Sequence, residues 1–156
     1  MLTAARKSRI RASRGSFAII ASRYNARYVD AMVKAARTQL EKGGAKSIRV
    51  IRVPGAFEIP AVAARLAKST LPCSAIVCLG VILRGQTSHA QQIGDAVSLS
   101  LAQLQVQHAL PVIHEVLLLE NEAQAIVRCL DKKHNRGAEA AQTALEMARV
   151  MESLPD

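Results

Sequence analysis

The sequence predicts an α/β fold in which one four-stranded parallel sheet lies between helices, a three-layer αβα sandwich. Four short apolar runs alternate with five segments of helical periodicity, and the connections between them are short. This alternation is typical of parallel sheets, because parallel strands need helical crossovers. Two of the four runs are also apolar throughout, as expected for strands that helices cover on both faces.

Four segments have the length and composition of strands, namely residues 17–21, 48–53, 75–79 and 112–119. The first and third are continuously apolar, so we place them at the centre of the sheet. Residues 48–53 mix apolar and basic side chains, which suits an edge strand.

Five segments repeat apolar residues at helical spacing, namely residues 26–42, 57–68, 89–108, 123–130 and 138–154. The first closes with Gly43 and Gly44, a common helix stop. Pro60 must lie in the first turn of the second helix, where proline is tolerated. Ser88 and Gln91 form a capping-box pattern at the start of the third.

A basic arm precedes a single domain in this 156-residue chain, and we place the arm at residues 1–15 and the domain at 16–156. The net charge of +9 is uneven, since the first 29 residues hold seven Lys or Arg and no acid. The remainder holds 14 basic and 12 acidic residues, which argues against a nucleic-acid partner for the domain itself. The arm could bind polyanions or act as an organelle transit peptide; we favour a surface arm, solvated or packed on a neighbouring subunit.

The cellular location is predicted from apolar runs and cysteines. The longest apolar run, residues 75–83, falls far short of the roughly 20 residues that span a membrane. Cys73, Cys78 and Cys129 fit neither a disulfide framework nor a paired-thiolate metal motif. We therefore expect a cytoplasmic protein without a membrane partner.

Residues 80–89 (GVILRGQTSH) carry the most chemistry, in a loop that leads from a strand into a helix. Ligands of parallel sheets bind at the carboxyl ends of the strands. The free amides of a helix start favour an anion, and His89 at the same place could exchange protons near neutral pH. The alternative is an ordinary helix start with a surface histidine.

Three other places hold unusual residues. Tyr24 follows the first strand in a chain with two Tyr, two Phe and no Trp, so it is a candidate stacking platform. In residues 53–60 (VPGAFEIP), Glu58 either compensates the helix dipole or accepts hydrogen bonds from a polyhydroxylated ligand beside Phe57. Residues 128–137 are either a solvated basic loop or a phosphate clamp. Histidines and cysteines at no familiar ligand spacing predict no metal site.

Residues 23–25, 53–60, 79–89 and 121–137, in this order and spacing, resemble the lumazine synthase family. The resemblance covers the chain from about residue 17 to 151, and the VPGAFEIP and RGQTSH segments are its most specific parts. It implies a flavodoxin-like fold with strand order 2-1-3-4. It also implies the condensation of 5-amino-6-(D-ribitylamino)uracil with 3,4-dihydroxy-2-butanone 4-phosphate to 6,7-dimethyl-8-ribityllumazine, with release of phosphate and water. No cofactor is implied.

The resemblance also assigns roles to individual residues. His89 would transfer protons, and the phosphate would be bound by Gln86, Thr87 and, from an adjacent subunit, Arg128. The residues expected to bind the pyrimidine substrate and its ribityl chain are Tyr24, Asn25, Ala56, Phe57, Glu58, Val81, Ile82, Leu83, His114 and Arg136.

Four positions depart from the family pattern. His114 and Glu115 stand where the family usually has an aromatic and a small residue, and Leu118 and Leu119 replace a pair of hydroxyl residues. These four departures put substrate affinity and pH profile in question. Arg136 matches a position where the family often has Lys.

The resemblance implies a homo-oligomer, either a pentamer or a sixty-subunit shell, with active sites between subunits. It allows functional coupling to riboflavin synthase. Two alternatives stay open: a flavin- or lumazine-binding protein without turnover, and an assembly whose basic arm binds nucleic acid.

Overall fold

The computed structural model describes residues 15–71 and 73–156, and residues 1–14 of the predicted arm lie outside this part. The strands are β1 (Ser16–Ser22), β2 (Ser47–Val53), β3 (Ala75–Leu83) and β4 (Val112–Leu119). The helices are α1 (Ala26–Lys42), α2 (Ile59–Ala67), α3 (His89–His108), α4 (Glu122–Ala125) and α5 (Arg136–Ser153). A 3₁₀ turn, Ala56–Glu58, precedes α2, and a π-helical turn, Ile126–Leu130, continues α4.

The four strands form one parallel sheet in the order β2-β1-β3-β4, which confirms the predicted fold class, the strand order and the edge position of β2. The third strand is longer than predicted, since β3 continues past residue 79 to Leu83. Its extra residues pair with β4 as far as Leu83 opposite Leu119, and this pairing keeps the chain extended through Gly80.

Two apolar layers cover the faces of the sheet. Alternate β1 residues point to opposite sides, so that Phe17 and Ile19 join the layer with α1 and α5, and Ala18 and Ile20 join the layer with α2 and α3. All four are at most 2% exposed, because the central strand is covered on both faces.

Two helix starts differ in local structure from the sequence pattern, and α5 begins at Arg136, two residues earlier than predicted. The segment predicted as one helix over residues 57–68 begins as the 3₁₀ turn and becomes α-helical only at Ile59, with Pro60 in the first turn as expected. The capping box predicted for Ser88 and Gln91 is wrong, because the Ser88 side chain makes no capping bond. Thr87 Oγ1 instead accepts a long hydrogen bond of 3.4 Å from the His89 amide.

A search of the described helices for a membrane span finds none that combines the necessary length and apolar character.

Gly137 lets α5 approach α1 more closely than any other residue would allow. A Cβ atom built there overlaps the main-chain carbonyl of Met32, in the middle of α1. Since the obstacle is backbone, a side chain at residue 137 can be accommodated only if the two helices move apart.

We expect Gly137→Ala to lower the free energy of unfolding by about 3 kcal/mol, because it overpacks a buried helix contact. Urea unfolding at fixed protein concentration measures this change. Gly94→Ala is the matched control, because its Cβ would lie 3.4 Å from Leu118 Cδ2 and alanine is the better helix former. A Gly137→Ala protein as stable as the Gly94→Ala protein would contradict the close approach.

Candidate active site

A cleft of about 860 Å³ opens at the carboxyl edge of the sheet. The loops that leave β1 and β2, the end of β3 and one face of α3 form its walls, as expected for a parallel sheet. Its lining residues are Tyr24, Asn25, Gly55, Ala56, Phe57, Glu58, Val81, Ile82, Leu83, His89, Gln92, Ile93 and Ala96. The cleft thus gathers nine of the residues that the sequence assigned to the site.

Two aromatic rings stand exposed in the cleft. Tyr24 is 73% exposed and Phe57 is 61% exposed, whereas Phe17 and Tyr28 are buried. An exposed ring is not needed by the core, and each of these two lies in a loop at a strand end. Their faces are available for contact with a planar or apolar part of a ligand.

Main-chain contacts hold the loop after β1 in place. The amides of Arg23 and Tyr24 donate to the carbonyls of Val53 and Pro54 at 2.8 and 3.2 Å, which ties this loop to the end of β2. Asn25 adopts a left-handed conformation with φ of 57°, which Asn tolerates better than most residues. Its side-chain amide donates to the Val81 carbonyl at 2.7 Å and so joins α1 to β3.

Glu58 has its carboxylate oriented by the backbone. The Gly55 amide donates to Glu58 Oε2 at 2.9 Å, and a Cβ atom at Gly55 would lie only 2.9 Å from that same oxygen. Glycine therefore permits the close approach. Fixed in this way, the carboxylate presents Oε1 as a second acceptor, which suits hydroxyl groups.

His89 is the first residue of α3, and its side chain lines the cleft. The preceding loop carries Gln86 and Thr87, both exposed and both outside the cleft lining. Because the first amides of a helix have no partner within the helix, this end of α3 offers donors to an anion beside a group that can carry a proton.

Besides Gln86 and Thr87, three predicted site residues do not line the cleft of their own chain, namely His114, Arg128 and Arg136. Arg128 is half-buried in the π-helical turn. Arg136 donates from Nε and Nη2 to both oxygens of Glu115, at 3.1 and 2.9 Å, and from Nη1 to Glu139 at 2.6 Å. Burial raises the pKa of Glu115, and the Arg136 guanidinium partly offsets this effect.

His114 lies on β4 and contacts α3. The Val116 amide donates to Nδ1 at 3.1 Å, and Ser98 Oγ lies 2.7 Å from Nε2 while donating to the Gly94 carbonyl. The neutral ring with its proton on Nε2 satisfies all three contacts. Burial lowers the pKa of this imidazole, in agreement with a neutral ring.

Four lining residues were not predicted: Gly55, Gln92, Ile93 and Ala96. The last three follow His89 by three, four and seven residues, and therefore share its face of α3. This spacing could have identified them from the sequence once His89 was placed in the site.

No group of three or more His, Cys, Asp or Glu residues within residues 15–71 and 73–156 could hold a metal ion.

The neutral state of His114 predicts a loss of stability in acid. Its pKa in the folded protein lies below the ordinary value of 6.5, so the unfolded chain binds more protons as the pH falls below that value. Stability should decrease through this range, and His114→Gln should remove part of the decrease.

Unfolding in urea at about pH 8 and about pH 5 measures the effect, with His134→Gln on a surface loop as the control. Equal acid sensitivity of wild type and His114→Gln would contradict the neutral ring.

Comparisons with known proteins agree with this geometry. The family model described as 6,7-dimethyl-8-ribityllumazine synthase matches residues 14–152. A protein of that name from Xanthomonas euvesicatoria pv. vesicatoria is 42% identical over 148 residues, which cover 94% of this chain and 96% of the relative. A namesake from Stenotrophomonas maltophilia (strain R551-3) is 43% identical over 141 residues, covering 89% of this chain and 90% of the relative. The match extends over the sheet, the cleft and α5, and the chain therefore belongs to the 6,7-dimethyl-8-ribityllumazine synthase family.

Proposed function

We propose that this chain condenses 5-amino-6-(D-ribitylamino)uracil with 3,4-dihydroxy-2-butanone 4-phosphate, releasing phosphate and water to give 6,7-dimethyl-8-ribityllumazine. One observation carries the proposal: His89, two exposed aromatic rings and a fixed carboxylate share one cleft beside a polar helix start. Membership of the synthase family supports the same reaction.

The pyrimidine binds between the loop after β1 and the end of β3. Tyr24 stacks on its ring, and backbone groups of Val81, Ile82 and Leu83 bind its edge. Asn25 acts mainly by holding the Val81 carbonyl in place. This arrangement is supported by the exposure of the Tyr24 ring and by the strand-end backbone that lines the cleft.

The ribityl chain extends toward the loop after β2. Ala56 and Phe57 provide its apolar wall, and Glu58 accepts hydrogen bonds from its hydroxyls. The support is the bond from the Gly55 amide, because it fixes the carboxylate before the substrate arrives.

The second substrate places its phosphate at the start of α3. Gln86, Thr87 and the free amides of the first turn bind it, where the helix dipole favours negative charge. Its ketone then lies near His89. The amine of the pyrimidine attacks this ketone, the imine forms with loss of water, phosphate leaves, and the ring closes with loss of water.

The protein supplies orientation and proton transfer. His89 moves protons during imine formation and ring closure, and the cleft holds the two substrates together. The reaction needs neither a metal ion nor an organic cofactor.

A second copy of the chain completes the site with Arg128, His114 and Arg136, which lie outside the cleft of their own chain. Arg128 neutralises the phosphate, and a bidentate contact suits its guanidinium. A homo-oligomer is further supported by apolar side chains on the outer face of α3, where Leu99 is 61% exposed and Val106 is 82% exposed. The assembly is a pentamer or a sixty-subunit shell.

The protein works in the cytoplasm, and its product passes to riboflavin synthase. The free thiols of Cys73, Cys78 and Cys129 support a reducing compartment.

An assay with both substrates, following lumazine fluorescence, tests the proposed function and two residue roles. His89→Ala should lower kcat about 100-fold, because proton transfer is lost. Arg128→Ala should raise KM for the phosphate substrate about tenfold and leave KM for the pyrimidine nearly unchanged. Arg37→Ala, on the exposed surface of α1, is the control.

A wild-type protein that binds the pyrimidine but yields no lumazine would contradict the proposal and support a binding protein without turnover. An equal loss for both substrates in Arg128→Ala would contradict the role of Arg128.

A further inference from the structure

Arg84 connects three elements at the edge of the phosphate-binding loop. It follows β3 directly, and its amide donates to the Leu119 carbonyl at 2.8 Å, which extends the pairing with β4 by one residue. Its Nε donates to Glu120 Oε1 at 2.9 Å, and its Nη2 donates to Gln91 Oε1 at 2.8 Å. One side chain thereby joins the residue after β4 to the first turn of α3.

Both ends of this connection are themselves anchored. Gln91 donates from Nε2 to Asp95 Oδ1 at 2.7 Å, one turn further along α3. The Glu120 amide donates to Gln124 Oε1 at 2.9 Å, in α4. These hydrogen bonds form a continuous series from α3 through Arg84 to α4, so the guanidinium has fixed partners on two sides.

The loop between Arg84 and α3, which these contacts span, has few other contacts to hold it in place. Gly85, Gln86, Thr87 and Ser88 are all exposed. A Cβ atom at Gly85 would meet no atom of the described residues within 4 Å, and Ser88 makes no capping bond. An exposed loop of this kind has conformational entropy to lose when it binds a ligand.

We infer that Arg84 is a positioning residue that holds the phosphate-binding loop between β3 and α3, rather than a ligand of the phosphate. The inference rests on the proposed function, because that function gives Gln86 and Thr87 their phosphate. Two of the guanidinium nitrogens already donate to Glu120 and Gln91, and the Glu120 carboxylate offsets the positive charge.

The ion pair between Arg84 and Glu120 orients the side chains more than it stabilises the fold. The Arg84 side chain is 34% exposed and that of Glu120 is 57% exposed, and pairs so accessible to water add little to the free energy of unfolding. Loss of either partner should therefore change ligand binding while leaving the melting temperature close to that of the wild type.

Glu120 separates the two possible roles of Arg84. If Arg84 attracted phosphate by its charge, removing the neighbouring carboxylate would strengthen phosphate binding. If Arg84 holds the loop, replacing the same carboxylate with a neutral amide weakens phosphate binding, because the ionic hydrogen bond that fixes the guanidinium becomes a weaker one. The two roles predict changes of opposite sign for Glu120→Gln.

The experiment compares Arg84→Lys, Glu120→Gln and the double variant with wild type. We expect each single variant to raise KM for the phosphate substrate about tenfold, with KM for the pyrimidine and the melting temperature unchanged. The double variant should lose less than the sum of the two single ones, since both weaken the contact between Arg84 and Glu120. Arg37→Lys and Glu41→Gln, from an exposed pair on α1, are the matched controls.

Calorimetric titration with inorganic phosphate gives a second readout that does not depend on turnover. It should show the same weakening in both variants. A wild type that binds phosphate but makes no lumazine would refute the proposed function while still testing the loop.

Tighter or unchanged phosphate binding in Glu120→Gln would overturn the inference. So would an equal rise in KM for both substrates, or a wild type that binds no inorganic phosphate.

Discussion

The pairing of β1 with both of its neighbours is the constraint on which the rest of the molecule depends. β1 lies between β2 and β3, in register from Ser16 opposite Ser47 to Ser22 opposite Val53, and from Phe17 opposite Ala75 to Ala21 opposite Leu79. Because all of these strands run parallel, their loops leave the sheet at one edge. The Tyr24 ring, the Glu58 carboxylate and the His89 imidazole come from three different loops and meet there.

Short contacts convert this convergence into a defined cleft. Asn25 links α1 to β3, Gly55 orients Glu58, and Arg84 links the β3–α3 loop to β4. The first and third contacts join residues that are far apart in the sequence. The second joins residues within a turn, where glycine allows the close approach. The buried layers on either side of β1 provide rigidity, and the edge contacts determine where ligand-binding atoms lie.

The fold was predictable because it follows from local patterns: continuous apolar strands, helical periodicity and short connections. The cleft residues near Tyr24, Phe57 and His89 were predictable because they lie in short segments at strand ends. Contacts that depend on the packing of different elements were not predictable. The pairing of Arg136 with Glu115 crosses 21 positions, and the binding of Gln91 by Arg84 replaced a capping box that local sequence favoured. Such contacts depend on the packed structure, which a local pattern does not specify.

We propose that each site is divided between two copies of the chain, and mixing subunits that lack either His89 or Arg128 tests this most directly. His89→Ala and Arg128→Ala subunits are unfolded together, refolded at a ratio of one to one and assayed for lumazine formation with the phosphate substrate well below its KM, where both separate variants are slow. If each site takes its cleft from one subunit and Arg128 from the next, about a quarter of the sites regain both residues, and activity rises to about a quarter of the wild-type value. Activity no greater than the average of the two separate variants would contradict a shared site.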